Sequence, residues 1–382
     1  MNEMIRNMSQ AQNPSLPVSP QHDPWDPIHL LRTFGRHVLT SVELTVTNQC
    51  NMRCEHCAVG DSLNISDPSK IDVNKILCKL DEVEHLQTIS ITGGEPSYNQ
   101  ETLIHYIMPI LRYAKQRGVR TQLNSNLTLN LSRYEMMIPF LDVMHISFNY
   151  LNSDDFHEVG FVNHSGSVSK LVAAKLYEQM ISNAVQLSSS GMKISAESMI
   201  NYRTHRKLAE IHQIIVQMGC FRHEVHPMYP SSFAQNLPEL TLDDFMQAIH
   251  RLLDTRHPDI WLLFGTLPVF WCSSSESELM LLKRLRETPN VTVRNDPDGR
   301  SRLNVDIFTG DIRVTDFAKV PPLGNIMKDG LDDVFARWMD HPLKQTVSCY
   351  CPEAGCCGPN FLVKDMYYQE IDFQSRKASV LK

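Results

Sequence analysis

From about residue 40 the chain alternates between two hydrophobic periods, and nothing else in it limits the possible folds as sharply. Short β-branched runs stand at SVELTVT (41–47), TISIT (88–92), RTQLN (120–124), MHISFN (144–149), KISAESMI (193–200) and HEVHPMY (223–229). Between most of them lie stretches with helical spacing: VNKILCKLDEVEHL (73–86), TLIHYIMPILRYAKQRG (102–118), KLVAAKLYEQMISNAVQLSSSG (170–191) and HRKLAEIHQIIVQMG (205–219). Gly118, Gly191 and Gly219 stand where such helices stop. Strands that alternate with helices build βαβ units around a parallel sheet. Six units predict an α/β fold, a partial (β/α)6 TIM-like barrel, whose site lies in the loops after the strand ends.

The pattern changes near residue 236. Helical TLDDFMQAIHRLLDT (241–255) is followed by RLNVDIFTGDIRVTDF (302–317), two β-like runs around a glycine turn that predict a hairpin. Three segments result: a lead-in at 1–39, a core domain at 40–236 and a C-terminal domain at 237–382. The lead-in, rich in Pro, Gln, Asn and Ser, has no apolar h-region and is expected to be flexible, with only DPWDPI docked. No apolar run approaches the ~20 residues of a membrane span. The net charge of −7 is spread along the chain, which predicts neither nucleic-acid nor membrane binding. Ten cysteines without an export signal point to a cytoplasmic, reducing setting and to metal ligation rather than disulfides. Seven of the ten fall in two short runs, Cys50 to Cys57 and Cys349 to Cys357.

The first run has the spacing C-x3-C-x2-C: Cys50, Cys54 and Cys57. Thiolates so close in sequence hold adjacent corners of one soft-metal site. A structural zinc site takes four protein ligands, as does an electron-transfer iron–sulfur cluster, so three leave a corner open. His56, inside the motif, is the residue that would close a zinc site instead. The run lies just past the first strand, GGEP (93–96) just past the second and NSN (124–126) at the end of the third, so all three share one barrel mouth. Gly93 and Gly94 allow close backbone approach, Glu95 offers a carboxylate to a cationic group, and Pro96 fixes the turn.

C-x3-C-x2-C after strand one, with Gly-Gly-Glu-Pro after strand two, resembles the radical S-adenosylmethionine (radical SAM) superfamily. The resemblance implies a partial barrel of the radical SAM type. It also implies a [4Fe-4S] cluster on Cys50, Cys54 and Cys57, whose open iron is chelated by the amino and carboxylate groups of SAM. Gly93, Gly94, Glu95 and Pro96 would then hold the methionine end. Ser125, Asn126, Ser147, Glu197 and Ser198 stand where the superfamily contacts ribose and carboxylate. A low-potential donor such as flavodoxin or ferredoxin would reduce the cluster, and cleavage of SAM would yield a 5′-deoxyadenosyl radical that abstracts hydrogen from a substrate.

The second run, SCYCPEAGCCGPN, places Cys349, Cys351, Cys356 and Cys357 in the pattern C-x-C-x4-C-C. Four thiols within nine residues favour a metal over a buried thiol cluster. The preceding DIFTGDIRVTDFAKVPPLGNIMKDGLDDVFARW resembles the hairpin-plus-helix part of SPASM and twitch domains, although Val314, Thr315 and Asp316 stand where a cysteine is usual. Taken together the motifs resemble the radical SAM/CxCxxxxC-motif proteins of the YfkAB type. That implies one auxiliary [4Fe-4S] cluster on Cys349, Cys351 and Cys356, with Cys272 or Cys357 as fourth ligand, Cys272 preferred. Substrate hypotheses remain separate at this point: a peptide or protein side chain first, a small molecule second, and a non-enzymatic electron carrier or redox sensor as the alternative class. His223, His226 and Tyr229 are further candidates for the barrel mouth, with packing as the competing reading.

Overall fold

The computed structural model describes residues 17–228, 231–234, 236–295, 298–315, 320–351 and 354–376. Six parallel strands follow the alternation read from sequence: β1 (Ser41–Thr47), β2 (Thr88–Gly93), β3 (Arg120–Ser125), β4 (Val143–Ser147), β5 (Ile194–Ile200) and β6 (Arg222–Pro227). The sheet runs past them on both sides. Two more parallel strands, β7 (Trp261–Gly265) and β8 (Val291–Arg294), follow β6. On the other side β9 (Arg302–Asp306) pairs with β1 in parallel, then β10 (Asp311–Arg313) and β11 (Gly324–Asn325) continue antiparallel. Among the described residues this makes one 11-stranded sheet, ordered β11-β10-β9-β1-β2-β3-β4-β5-β6-β7-β8. The expected hairpin is β9–β10, its turn tied by backbone N–H groups of Phe308 and Thr309 donating to Asp306. Tyr229 and Asp316 lie outside the described residues.

The two faces of the sheet differ in chemistry. Val42, Leu44 and Val46 on β1, Ile89 and Ile91 on β2, Leu123 on β3, Met144 and Ile146 on β4 and Ile194 on β5 are all completely buried under the helices. The alternate positions form the concave face and are polar: Glu43 and Thr45, Ser90 and Thr92, Gln122 and Asn124, His145 and Ser147, Ser195 and Glu197, Arg222 and Glu224. Period-two alternation therefore separates core from lumen strand by strand. One helix departs from expectation. The run at 102–118 contains a π-helical turn, Leu103–Ile107, before the α-helix Met108–Arg117. Pro109 has no N–H for the α-helical ladder and its ring crowds the preceding turn, which the wider π turn accommodates.

DPWDPI docks as expected, and the rest of the described lead-in, Val18 included, is packed as well. Val18 and Trp25 are buried against Val143, Trp261 and Leu263, at the floor of the lumen, and Lys193 Nζ donates to the Val18 carbonyl at 3.1 Å. Asp26 caps the helix Pro27–Phe34, accepting from Ile28 N at 2.9 Å. Replacing Trp25, 7% exposed, with alanine removes the largest apolar contact of this floor. Trp25→Ala is expected to lower unfolding free energy by about 3 kcal/mol, seen as a lower denaturant midpoint at unchanged m-value.

Candidate functional site

The cysteine loop leaves β1 and is tied down at both ends by backbone contacts. Arg53 N donates to Gly160 O at 2.9 Å and Glu55 N to Val159 O at 2.8 Å, fastening it to the helix Ser153–Gly160. On the other side Gly94 N donates to Thr47 O at 2.8 Å and Glu95 N to Gln49 O at 2.7 Å. At Gly93, φ is +140°, and a Cβ at either glycine would overlap the Thr47 or Gln49 carbonyl. Both glycines are required by this backbone-on-backbone seam.

Glu95 departs from the role expected of it. It is fully buried and does not line the cavity. Its carboxylate accepts from Ser97 Oγ, from Ser125 Oγ at 3.0 Å and from Asn126 N at 2.6 Å. Burial pushes its pKa up against these hydrogen bonds. Glu95 thus clamps the loop after β3 to the loop after β2. Pro96 is buried in the same turn and is likewise outside the cavity lining. Ser198 is also turned away: its hydroxyl donates to Phe148 O at 2.5 Å and lies 3.0 Å from His223 Nε2. Glu197 and Ser198 are neighbours on one strand and must face opposite sides.

The remaining predicted residues converge. Cys50, Cys54, Cys57, Gly93, Gly94, Ser125, Asn126, Ser147 and Glu197 all line one cavity of about 190 Å³. Asn124, from the NSN run expected at the mouth, lines it too, and Tyr150, Phe156, Met180 and Met199, which no motif marked, form part of the rest of its wall. Nothing local marks an apolar Met180, from the helix Lys170–Ser189, as a cavity residue. Met52 N lies 3.3 Å and Asn126 Nδ2 3.8 Å from Cys50 Sγ, and Cys54 Sγ lies 3.8 Å from the Tyr150 hydroxyl. Burial pushes Cys50 up to about 12 and raises Cys54 and Cys57 as well. His56 is buried, its pKa lowered by burial to about 4, and its Nε2 faces the Asn149 side-chain amide at 3.3 Å. Among the described residues no three His, Cys, Asp or Glu side chains gather within reach of a single metal ion.

The second run builds another thiol pocket. Cys351 and Cys356 exchange backbone hydrogen bonds, 2.9 and 3.1 Å, which folds the segment back on itself. Cys349, Cys351 and Cys356 are buried with Phe270, Val363 and Phe373, and Cys272 packs against them. Burial raises Cys349 to about 12, helped by the neighbouring Cys351, Cys356 and Cys272 thiols. Gly358 N and Asn295 Nδ2 approach Cys356 Sγ at 3.4 and 3.8 Å. Cys357 is completely buried, and its carbonyl accepts from Arg300 Nη2 at 3.4 Å.

His223 does not reach the barrel mouth. It lies on the helix-facing side of β6, stacked on His212 with Nδ1 atoms 3.0 Å apart. His226 is the penultimate residue of β6, with Nε2 2.9 Å from Glu224 Oε1.

Two family models match the chain: the radical SAM superfamily over residues 44–215 and the YfkB-like domain over 228–378. The chain belongs to the radical SAM superfamily, and is an enzyme of that class, which works with a [4Fe-4S] cluster and SAM. It is 50% identical over 370 residues to the putative protein YfkA of Bacillus subtilis (strain 168), covering 96% of this chain and 99% of that one. It is 23% identical over 239 residues to the GTP 3′,8-cyclase of Helicobacter pylori (strain HPAG1), 60% of this chain and 69% of that one. Its fold matches Streptococcus suis SuiB bound to precursor peptide SuiA, with TM-score 0.61 at 13% identity over 98% of this chain and 86% of that one. It also matches native anSMEcpe with bound AdoMet and Cp18Cys peptide, with TM-score 0.54 at 12% identity over 78% and 80%. No helix among the described residues is long and apolar enough to cross a membrane.

Two outcomes follow from this geometry. Gly94→Ala forces the seam open and is expected to abolish SAM binding measured by equilibrium dialysis, while far-ultraviolet circular dichroism stays within error of the parent. The His212–His223 pair sets an acid limit. Burial lowers His212 to about 4 and holds His223 well below its usual value, whereas the unfolded chain takes protons near 6.5. The unfolded state then binds more protons between these limits, so stability falls as pH drops from about 6.5 toward 4. The expected loss approaches about 1 kcal/mol per histidine per pH unit. Urea midpoints at pH 7 and at pH 5 check it, with a shallower fall in His223→Gln.

Proposed function

We propose that the cavity between the cysteine loop and strands β2 to β5 holds the [4Fe-4S] cluster on Cys50, Cys54 and Cys57, with SAM against Gly93, Gly94, Ser125, Asn126, Ser147 and Glu197. The observation that carries this reading is the shared wall: three thiols and a polar strip from four strand ends face one cavity. The donor set fits the group. Amide donors lie near the Cys50 sulfur, the glycine backbone lies open at the rim, and a carboxylate stands at the far side. Bound there, the cluster and SAM would supply reductive radical chemistry at the sulfonium, with the electron drawn from a low-potential donor. The chain's own residues supply position and exclusion of water. Glu95 holds the loops after β2 and β3 in register, and Met180, Met199, Phe156 and Tyr150 make the remaining wall apolar.

The second thiol pocket is assigned an auxiliary [4Fe-4S] cluster on Cys349, Cys351, Cys356 and Cys272, in a domain at 237–382 that shares its sheet with the core at 40–236. Packing supports Cys272 over Cys357, because Cys272 joins the same buried group as the other three. The substrate class we favour is a peptide or protein side chain. A second, polar cavity of about 350 Å³ adjoins the first across Gly93 and Gly94 and is lined by Asn48, Asn64, Asp61, Asp306 and Arg313, groups that hydrogen-bond to peptide backbone and side chains. The fold shared with SuiB, solved with its precursor peptide, supports the same reading.

Anaerobic reconstitution tests both assignments. The parent is expected to hold about eight irons and the Cys349, Cys351 and Cys356 triple alanine variant about four, since each cubane holds four. Cys272→Ala is expected to lose iron as the triple variant does, and Cys357→Ala to keep it. With dithionite and SAM, the parent forms 5′-deoxyadenosine and Cys50→Ala falls to background. Stimulation of that product by a cell fraction, lost after the fraction is digested with protease, supports a peptide; stimulation that survives digestion shows a small-molecule substrate instead.

A further inference from the structure

A connected series of hydrogen bonds and ion pairs runs along the concave face from the cavity wall to the N-terminal segment. His145 Nε2 lies 2.9 Å from Glu197 Oε2. An ionised carboxylate only accepts, so Nε2 carries the proton and donates. Nδ1 of the same ring lies 3.1 Å from Ser195 Oγ, which accepts from Arg222 Nε at 2.8 Å. Arg222 Nη2 pairs with Glu224 at 3.1 Å, and Glu224 pairs with Arg294. Arg294 Nη1 reaches Asp23 at 2.9 Å, in the segment that covers the lumen floor.

The register builds this arrangement directly. His145 stands opposite Ser195, and Ser195 opposite Arg222; one step further up, Ser147 stands opposite Glu197 and Glu197 opposite Glu224. Arg222 and Glu224 side chains are 0% and 2% exposed. Buried charges of this kind are rarely the most stable filling for a barrel, since apolar groups of similar volume often do as well or better. Of this series, Glu197 is the member that lines the cofactor cavity. Burial pushes Glu197 up, but the hydrogen bond from His145 and the charges of His226 and His145 outweigh it and hold the carboxylate below its usual range. A carboxylate with one oxygen tied and its plane fixed can accept two adjacent hydroxyls, the chemistry of a ribose diol.

We propose that His145 is a positioning residue, fixing the orientation of Glu197 so that its carboxylate receives the vicinal hydroxyls of the nucleoside, with Ser195 and Arg222 setting the ring of His145 from below. This rests on the reading of the cavity as the SAM site. Adenosine and 2′,3′-dideoxyadenosine differ only in those hydroxyls, and their binding to the anaerobically reconstituted full chain can be measured by calorimetry. The parent is expected to prefer adenosine by at least about tenfold, as hydrogen bonds to a charged acceptor allow. His145→Leu is expected to bring the two ligands within about twofold, and His145→Gln, whose amide can still donate to Glu197, to restore most of the preference. A folded His145→Leu protein that keeps the parent's preference overturns the proposal. Should that variant fail to fold, Ser195→Ala, which leaves every ion pair in place, is read instead: at least a threefold smaller preference supports the proposal and an unchanged one overturns it. A parent with no preference at all overturns the assignment of Glu197 to the ribose itself, a different failure from a dispensable His145.

Discussion

Two backbone hydrogen bonds, Gly94 N to Thr47 O and Glu95 N to Gln49 O, hold the site together. They press the loop after β2 directly onto the loop that carries the cysteines, with no side chain between. Everything at the mouth is registered from that seam. Glu95 leaves it pointing inward and collects donors from Ser97, Ser125 and Asn126, so the third loop is located from the second as the second is from the first. A carboxylate that accepts from several donors in a buried place is a stiff joint, because each donor would otherwise be left without a partner. The thiols gain a defined direction from loops that have little regular structure of their own.

The sheet below the seam is built to be dry on one side and polar on the other. Completely buried aliphatic positions such as Leu44, Ile91, Leu123 and Ile146 carry the packing energy. The concave side places Gln122, His145, Ser195, Arg222 and Glu224 where many barrels put branched aliphatics. Their mutual pairing makes the cost of burial tolerable, and the floor is closed by Trp25 and Asp23 from the N-terminal segment. The lumen is therefore a solid polar body rather than an open tube.

Much of this was legible in the residues. The six core strands lie where β-branched runs alternate with helical spacing, and both cysteine runs fall in loops, as ligand segments do. The parts that escaped did so for identifiable reasons. WLLFG of β7 is buried at all five positions and so lacks the alternation that marks a half-exposed strand, and VTVR of β8 is too short to signal. The inward turn of Glu95 depends on Ser125 and Asn126, about thirty residues away, which no local pattern reveals. Ser198 and His223 could have been placed from parity alone. Each sits beside a lumen residue, Glu197 and Glu224, and consecutive strand positions face opposite sides. The docking of DPWDPI was legible from its tryptophan, whereas the packing of Val18 was obscured by a Pro-rich composition that describes the free chain and not the surface that receives it.

The parallel pairing of β9 with β1 has a consequence for the order of assembly. β1 leaves the ribosome early, but its outer edge is completed only by Arg302–Asp306, some 250 residues later. Until then the strand that launches the cysteine loop has one row of unpaired amides and carbonyls. During synthesis the strand below the cysteine loop therefore stays half-paired, and the sheet closes on that side only when the hairpin arrives.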